Sequence, residues 1–218
     1  MIHIEGLIII LAVYINNENE KNYNILLDCF KQLKKVYPNE KIVAVYNQSP
    51  NNKWYDTLNS LDIEIIYNDS DEYKYEAGAY KCALNKYSAD NYLLIQGNIY
   101  MNNKITEELD KYNPDVYALG SLYGLCWDQN GLNHINKKLN TLNMYNWNNE
   151  PLVLWNCFYC NHLCMKELIK TGYFNLTCNT KDCSCANERV LGTIFYRYFN
   201  NLKIINSNTY KKYWFDQQ

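Results

Sequence analysis

Four places where an apolar run breaks into short polar side chains are where this sequence could do chemistry. The run from Gly6 to Ile15 gives way to Asn16 and Asn17, and K-I-V-A-V-Y gives way to Asn47, Gln48 and Ser49. I-E-I-I-Y ends at Asn68, Asp69, Ser70 and Asp71, and Y-L-L-I, residues 92–95, ends at Gln96, Gly97 and Asn98. Amides and hydroxyls at such ends can donate and accept hydrogen bonds toward a bound ligand. The fourth break is the most informative. Its two amides flank a glycine, and no charge stands at the tip.

Other chemistries are absent. The chain has no G-x-G-x-x-G, no G-K-[ST] and no G-x-S-x-G, and its eight glycines do not cluster, which argues against dinucleotide, P-loop and serine-nucleophile readings. Cys157, Cys160 and Cys164, with His162 between them and Cys178, Cys183 and Cys185 downstream, could supply zinc thiolates. Their spacing is not one of the strong paired patterns, however, and Cys160 and Cys164 sit at helical spacing beside an apolar segment, as packed thiols do. No zinc site is therefore expected at these cysteines. Trp127, Tyr145, Trp147 and Trp155 suit sugar-ring stacking and core packing equally.

Charge and hydropathy narrow the partners. A formal charge of -2 over 218 residues gives no basic excess for nucleic acid. The apolar start is too short for a membrane span, since a helical crossing needs about 20 apolar residues. It also has neither the basic flank nor the cleavage site of a signal peptide. The expectation is a cytoplasmic protein with reduced thiols.

The elements that must position the polar breaks alternate. After the first strand, Tyr23, Leu26, Leu27, Phe30, Leu33 and Tyr37 recur at helical spacing. Strand, short amphipathic piece and strand follow, then a helix from about Lys74 to Tyr87 and the strand ending at Gln96. Such alternation implies right-handed crossovers and a parallel sheet covered on both faces. The polar breaks then line the carboxyl edge of that sheet, where open α/β proteins bind ligands. Beyond residue 100 the pattern predicts a helix near Lys104 to Tyr112, a strand at D-V-Y-A-L-G-S-L-Y and a polar excursion through Asn148. The sheet resumes at P-L-V-L-W-N-C-F-Y-C. Helices are predicted over His162 to Lys170 and from Ala186 onward, the last with Ala186, Val190, Leu191, Ile194, Phe195 and Tyr198 as its core stripe.

In order and spacing, I-I-I-L-A-V-Y-I-N-N, K-I-V-A-V-Y-N-Q-S-P, Y-E-A-G-A-Y-K-C-A-L and Y-L-L-I-Q-G-N resemble the GT-A glycosyltransferase fold, particularly the family-2-like transferases. The resemblance covers about the first 100 residues by motif and the rest by architecture only. It implies a GT-A-like (Rossmann-like) three-layer α/β/α fold with a mostly parallel central sheet. One domain would span 1–218, with a nucleotide-sugar-binding half over 1–100 and an acceptor-side half over 101–218. It further implies a nucleotide-sugar donor and a glycan or protein acceptor. Base and ribose would lie over Tyr14, Asn16, Asn47 and Asn68, and the diphosphate near Lys81, Gln96, Gly97 and Asn98.

Metal-dependent members end the fourth strand in an Asp-x-Asp-type motif that holds Mg²⁺ or Mn²⁺ on the donor. Gln96 and Asn98 keep the shape of that motif without its charge, which puts metal dependence in question. Diphosphate charge would then fall to Lys81, Lys211 or Lys212, Arg189, or helix N-termini. The resemblance also implies a carboxylate base at the start of a late helix, here Glu188, with Asp182 as its substitute. An acidic residue in a first turn equally stabilises the helix dipole. The alternative to a transferase is a non-catalytic GT-A-like domain that binds a nucleotide, glycan or protein partner. A nucleotidyltransferase would want a basic, Gly-rich loop where V-Y-I-N-N-E stands.

Overall fold

The structure is a computed structural model that describes residues 1–14, 20–47, 59–109, 116–122, 129–144, 150–199, 202–205 and 207–214. Its first strand explains the layering. β1 (Ile2–Val13) buries Ile8, Ile10 and Ala12 in one core and Ile9, Leu11 and Val13 in another. Successive side chains of a strand face opposite ways, so an unbroken apolar run requires cover on both sides.

Helix α1 (Glu20–Val36) covers one face through Leu26, Phe30 and Leu33, while Leu27 is only half-buried. The other face carries α2 (Tyr75–Lys86), α4 (Gln129–Thr141), α5 (His162–Lys170) and α6 (Lys181–Tyr198); the short α3 (Thr106–Leu109) lies between α2 and α4 in sequence. The remaining strands are β2 (Lys41–Asn47), β3 (Glu64–Asn68), β4 (Tyr87–Gln96), β5 (Ile99–Met101), β6 (Val116–Ala118), β7 (Ser121–Leu122), β8 (Leu152–Val153), β9 (Phe158–Asn161), β10 (Leu202–Ile204) and β11 (Tyr210–Lys212).

Seven strands form the central sheet in the order β10-β6-β9-β4-β1-β2-β3. β3, β2, β1 and β4 pair in parallel, and β9 runs antiparallel to both β4 and β6. The expected three-layer, mostly parallel α/β architecture is therefore present. All four parallel strands end at one edge, where Asn47 and Asn68 are register partners and Ala12 is opposite Gln96. Two small ribbons, β5 with β11 and β7 with β8, flank the sheet.

Three elements differ from the sequence expectation. β4 begins at Tyr87, five residues before the apolar run, because it pairs with Ile2–Ile4 of β1 and buries Tyr87 and Ala89 across the intervening Ser88. The polar excursion contains α4, whose Ile135 and Leu139 are buried four residues apart. Its asparagines hide that short stripe. Finally, α6 starts at Lys181, not Ala186, because Thr180 caps it by accepting from the Cys183 N–H at 3.2 Å. Tyr198 of the expected stripe is exposed.

Gly192 fixes α6 against the start of β8. A Cβ there would lie 1.8 Å from the Pro151 carbonyl oxygen, an impossible approach that only a backbone shift could relieve. Gly192→Ala should destabilise the fold by about 1–3 kcal/mol, the usual cost of overpacking, read as a Tm lowered by several degrees in a circular-dichroism melt. An unchanged Tm would show that α6 can move freely from residue 151.

Candidate active site

At the carboxyl edge the predicted residues form two knots. In the first, Asn68 Nδ2 donates to Asn47 Oδ1 at 2.7 Å and to the Tyr73 carbonyl at 2.6 Å, while Asn47 Nδ2 donates to the Tyr75 carbonyl at 2.7 Å. Both asparagines are buried. Their amides thus shape the turn that leads into α2. Gly78 lets that turn close, since a Cβ would meet the Tyr73 carbonyl oxygen at 2.0 Å. The turn leaves Tyr75 at φ 58, a left-handed conformation costing a bulky residue roughly 1–3 kcal/mol. Tyr75 in turn faces Tyr14, with ring centroids 6.4 Å apart. Tyr14, Asn47 and Asn68 therefore come together. Lys81 sits 3.5 Å over the Tyr73 ring, joining this knot and not the diphosphate position expected for it. Asn16 lies outside the described residues.

The second knot gathers residues distant in sequence. β11 runs antiparallel to β5 and brings Lys212 opposite Ile99. Its ammonium donates to the side-chain oxygens of Gln96 and of Asn98, the latter at 3.0 Å. Gln96 Nε2 donates onward to Glu76 Oε1, and Ser184 Oγ donates to Glu76 Oε2 at 2.6 Å. Glu76 is a buried carboxylate at the start of α2. Asn98 Nδ2 donates to the Tyr213 carbonyl at 2.7 Å. Gly97 serves packing: its N–H donates to the Ala12 carbonyl at 2.9 Å, and a Cβ would lie 3.2 Å from both Leu26 and Val13.

Glu188 faces this knot from α6. Because α6 begins at Lys181, Glu188 lies two turns inside it, and the first-turn acidic residue is the exposed Asp182. The dipole role therefore falls to Asp182. Burial pushes the Glu188 carboxyl up to about 8, and the neighbouring Glu76 charge adds to the rise. Lys181, a hydrogen bond from the Trp155 N–H, and Lys212 oppose it. Burial holds the Lys212 ammonium below its ordinary range. Lys181 shifts the other way: burial would lower it, but Glu76 and then Cys185 and Glu188 outweigh that effect. The Trp155 N–H comes from a strained turn, with Trp155 at φ 59 and Asn156 at φ 52. Asn156 is locked by Tyr173, whose hydroxyl donates to its Oδ1 at 3.0 Å.

Glu76, Ser184 and Lys181 are the residues that the strand-end reasoning missed. A glutamate among the small residues of Y-E-A-G-A was the available signal, since a charge on a closely packed helix face must have a partner. Two expected cations belong elsewhere. Arg189 is fully buried and donates to the Glu150 carbonyl, and Lys211 is exposed with its ammonium 4.7 Å from the Tyr213 ring. The eight described cysteines are free, and Cys157 is buried beneath Gln96, whose N–H donates to its sulfur at 3.3 Å. Among the described residues no group of three or more His, Cys, Asp or Glu converges as a metal site, and no helix is long and apolar enough to cross a membrane. A cleft of about 450 Å³ at the opposite end of β1 and β2, lined by Glu5, Gly6, Glu40, Lys41 and Asp62 among others, shares no residue with these knots.

Comparison with solved structures matches this architecture to Staphylococcus aureus TarS, residues 1–349 in complex with UDP. The TM-score is 0.55 and the identity 13%, over 94% of this chain and 59% of that one. The fold is GT-A-like. A Leptospira borgpetersenii cytidylyltransferase matches with a TM-score of 0.51 and 9% identity over 94% of this chain and 77% of that one. The 4-diphosphocytidyl-2C-methyl-D-erythritol synthase of Anaerococcus prevotii has a TM-score of 0.51 and 10% identity over 95% and 90%. The GT-A-like chain thus spans somewhat under two thirds of the TarS structure. No protein-family model matches it, and no curated protein matches it by sequence.

The raised Glu188 predicts a stability signature. A carboxyl held near 8 in the fold, against 4.5 as its ordinary value, stays protonated while the unfolded chain ionises. It imposes no penalty below pH 4.5, and the cost of ionising it grows up to about pH 8. Glu188→Gln should therefore leave Tm unchanged near pH 4 and raise it at pH 8 to 9. A Tm difference that does not vary with pH would show that Glu188 titrates normally.

Proposed function

We propose that this chain is a glycosyltransferase that moves a sugar from a nucleotide-sugar donor to a hydroxyl acceptor without a divalent cation. The observation that carries this reading is Glu188, a carboxyl that burial and the Glu76 charge push up to about 8, facing Lys181 and Lys212 and accepting from the Trp155 N–H. A general base works best when its pKa lies near the working pH. The base and ribose lie against Tyr14 and Tyr75, on the turn that Asn47 and Asn68 hold. The UDP in the TarS crystal supports a nucleotide in the corresponding fold.

The reaction is a single displacement. Ionised Glu188 accepts the acceptor's hydroxyl proton as the acceptor oxygen bonds to the anomeric carbon. The bond from that carbon to the phosphate oxygen breaks, and its electron pair leaves on the diphosphate. Lys212 and Lys181 face the leaving charge, offset by the single carboxylate of Glu76.

The residues at the acidic-motif position do not fit Mg²⁺ or Mn²⁺. Both side-chain oxygens of Gln96 and Asn98 already accept from the Lys212 ammonium, and a hard cation would have to displace it to gain two neutral ligands. Fixed donors aimed at the developing charge perform the same stabilisation.

A second reading, nucleotidyl transfer, draws support from the two nucleotidyltransferase-type structures of similar TM-score. Products separate the readings. Nucleoside diphosphate released from UDP- or GDP-sugars supports glycosyl transfer, whereas pyrophosphate released from CTP supports the rival. Thermal shifts with nucleotides but no turnover of any donor would support a non-catalytic binding domain.

The transferase has expected responses to pH, to substitution and to chelation. Its kcat/KM should rise with pH and level off above about 8, the value of Glu188; Glu76→Gln should move this limb to lower pH by removing the neighbouring charge. Glu188→Gln should lower kcat roughly 10²–10⁴-fold, the usual worth of a general base. Activity should also survive EDTA, while Gln96→Asp combined with Asn98→Asp should make nucleotide binding respond to Mn²⁺. Activity lost in EDTA and restored by Mn²⁺ would place a metal on other carboxylates and refute the metal-free mechanism.

A further inference from the structure

The C-terminal K-K-Y-W, residues 211–214, carries more than one lysine of use to the site. Side chains two apart on an extended strand share a face, so Lys212 pairs with Trp214 and Lys211 with Tyr213. The Lys212 ammonium lies 5.4 Å from the Trp214 ring centroid and 5.2 Å from that of Trp155. The two indoles meet at 76° with centroids 6.3 Å apart, which makes a corner around one cation. Both distances fall within the 6 Å or so over which an aromatic face attracts a cation. Trp214 is 70% exposed, so core packing does not account for its place. Trp155 holds a left-handed backbone that also aims its N–H at Glu188.

We propose that Trp155 and Trp214 are positioning residues that cage the Lys212 ammonium against Gln96 and Asn98, aiming its remaining N–H at a phosphate oxygen of a nucleoside diphosphate. The count of donors supports this geometry. An ammonium has three N–H groups, of which Gln96 Oε1 and Asn98 Oδ1 take two. The indole faces attract the cation but offer no lone pair to compete for the third. They also replace water around the charge, which strengthens its interaction with an anion. Lys181 carries charge near the same site from a different element and has no such enclosure among the described residues: the aromatic ring placed near it is Tyr75, 5.9 Å away. The inference rests on the transferase reading only for its ligand.

The cage itself is tested without activity. In the wild-type protein, the ε-protons of Lys212, assigned through Lys212→Arg, should resonate upfield of the exposed lysines because of the indole ring currents. Trp214→Leu should abolish most of that shift and weaken binding of UDP, measured by calorimetry, by roughly 3–30-fold, the range of a partly desolvated cation–π contact. Trp214→Phe should retain much of both. Because Trp214 is exposed, neither variant threatens folding, and Lys211→Met, on the opposite face, should leave the Lys212 resonance unchanged. Lys212 protons in the ordinary lysine range, or equal UDP affinities for the Leu and Phe variants, would overturn the cage. Shifted Lys212 protons in a protein that binds neither UDP nor GDP would uphold the cage and defeat the transferase reading.

Discussion

The Glu76 carboxylate is the constraint around which the site is organised. A buried charge that lacked partners would cost several kcal/mol, so the fold must bring donors to it. Those donors come from Gln96, 20 residues away, and Ser184, 108 residues away. The carboxyl end of β4 and the first turn of α6 are thereby tied to the start of α2. The same charge adds to the burial that keeps a proton on Glu188 at neutral pH, and it favours the charged forms of Lys181 and Lys212. One side chain thus links the packing of two helices and a strand to the acid–base state of the site.

Backbone strain gathers at the same place. Of the non-glycine residues with positive φ, Tyr75, Trp155 and Asn156 border the two knots, the first on the turn into α2 and the others beneath α6. Each such conformation persists only where its surroundings over-determine it. Asn47 and Asn68 hold the first through two carbonyls, and Tyr173 and Ser184 hold Asn156, whose Nδ2 donates to the Ser184 carbonyl at 3.4 Å. The buried amides at the strand ends are therefore part of the means by which the strained turns are kept in shape. That is a different task from touching a ligand, and residue type alone does not distinguish the two.

This difference explains what could be read in the sequence. The parallel half was legible because its strands are continuous apolar runs and its helices carry one clear stripe, as with Leu26, Phe30 and Leu33. α4 was not, because two buried aliphatic residues among asparagines do not rise above the composition of the chain. The start of α6 was hidden in K-D-C-S-C, where the signal was the Thr180 cap and not an apolar period. Strand ends named Gln96 and Asn98 correctly as neighbours in space, but Lys212 reaches them by the pairing of β11 with β5, a contact that no local pattern records. Arg189 shows the converse: a cation beside the expected base is drawn wholly into the core by the Glu150 carbonyl.

On the proposed reading, amides in place of carboxylates have a consequence in charge that shape alone conceals. Two carboxylates with one divalent cation sum to zero, and the diphosphate is attracted chiefly because the metal is near and the carboxylates lie behind it. Two amides with one ammonium sum to +1, so even a monovalent cation leaves the position attractive to an anion. A lysine is the weaker point charge, but it is covalently attached, held by two amide oxygens and flanked by two indoles, and need not be recruited from solution. Burial works against that charge by favouring the neutral amine, and the nearby Glu76 carboxylate works for it. In the proposed reaction Glu76 therefore has a second use: the carboxylate that would repel a diphosphate also helps keep Lys212 protonated to receive it.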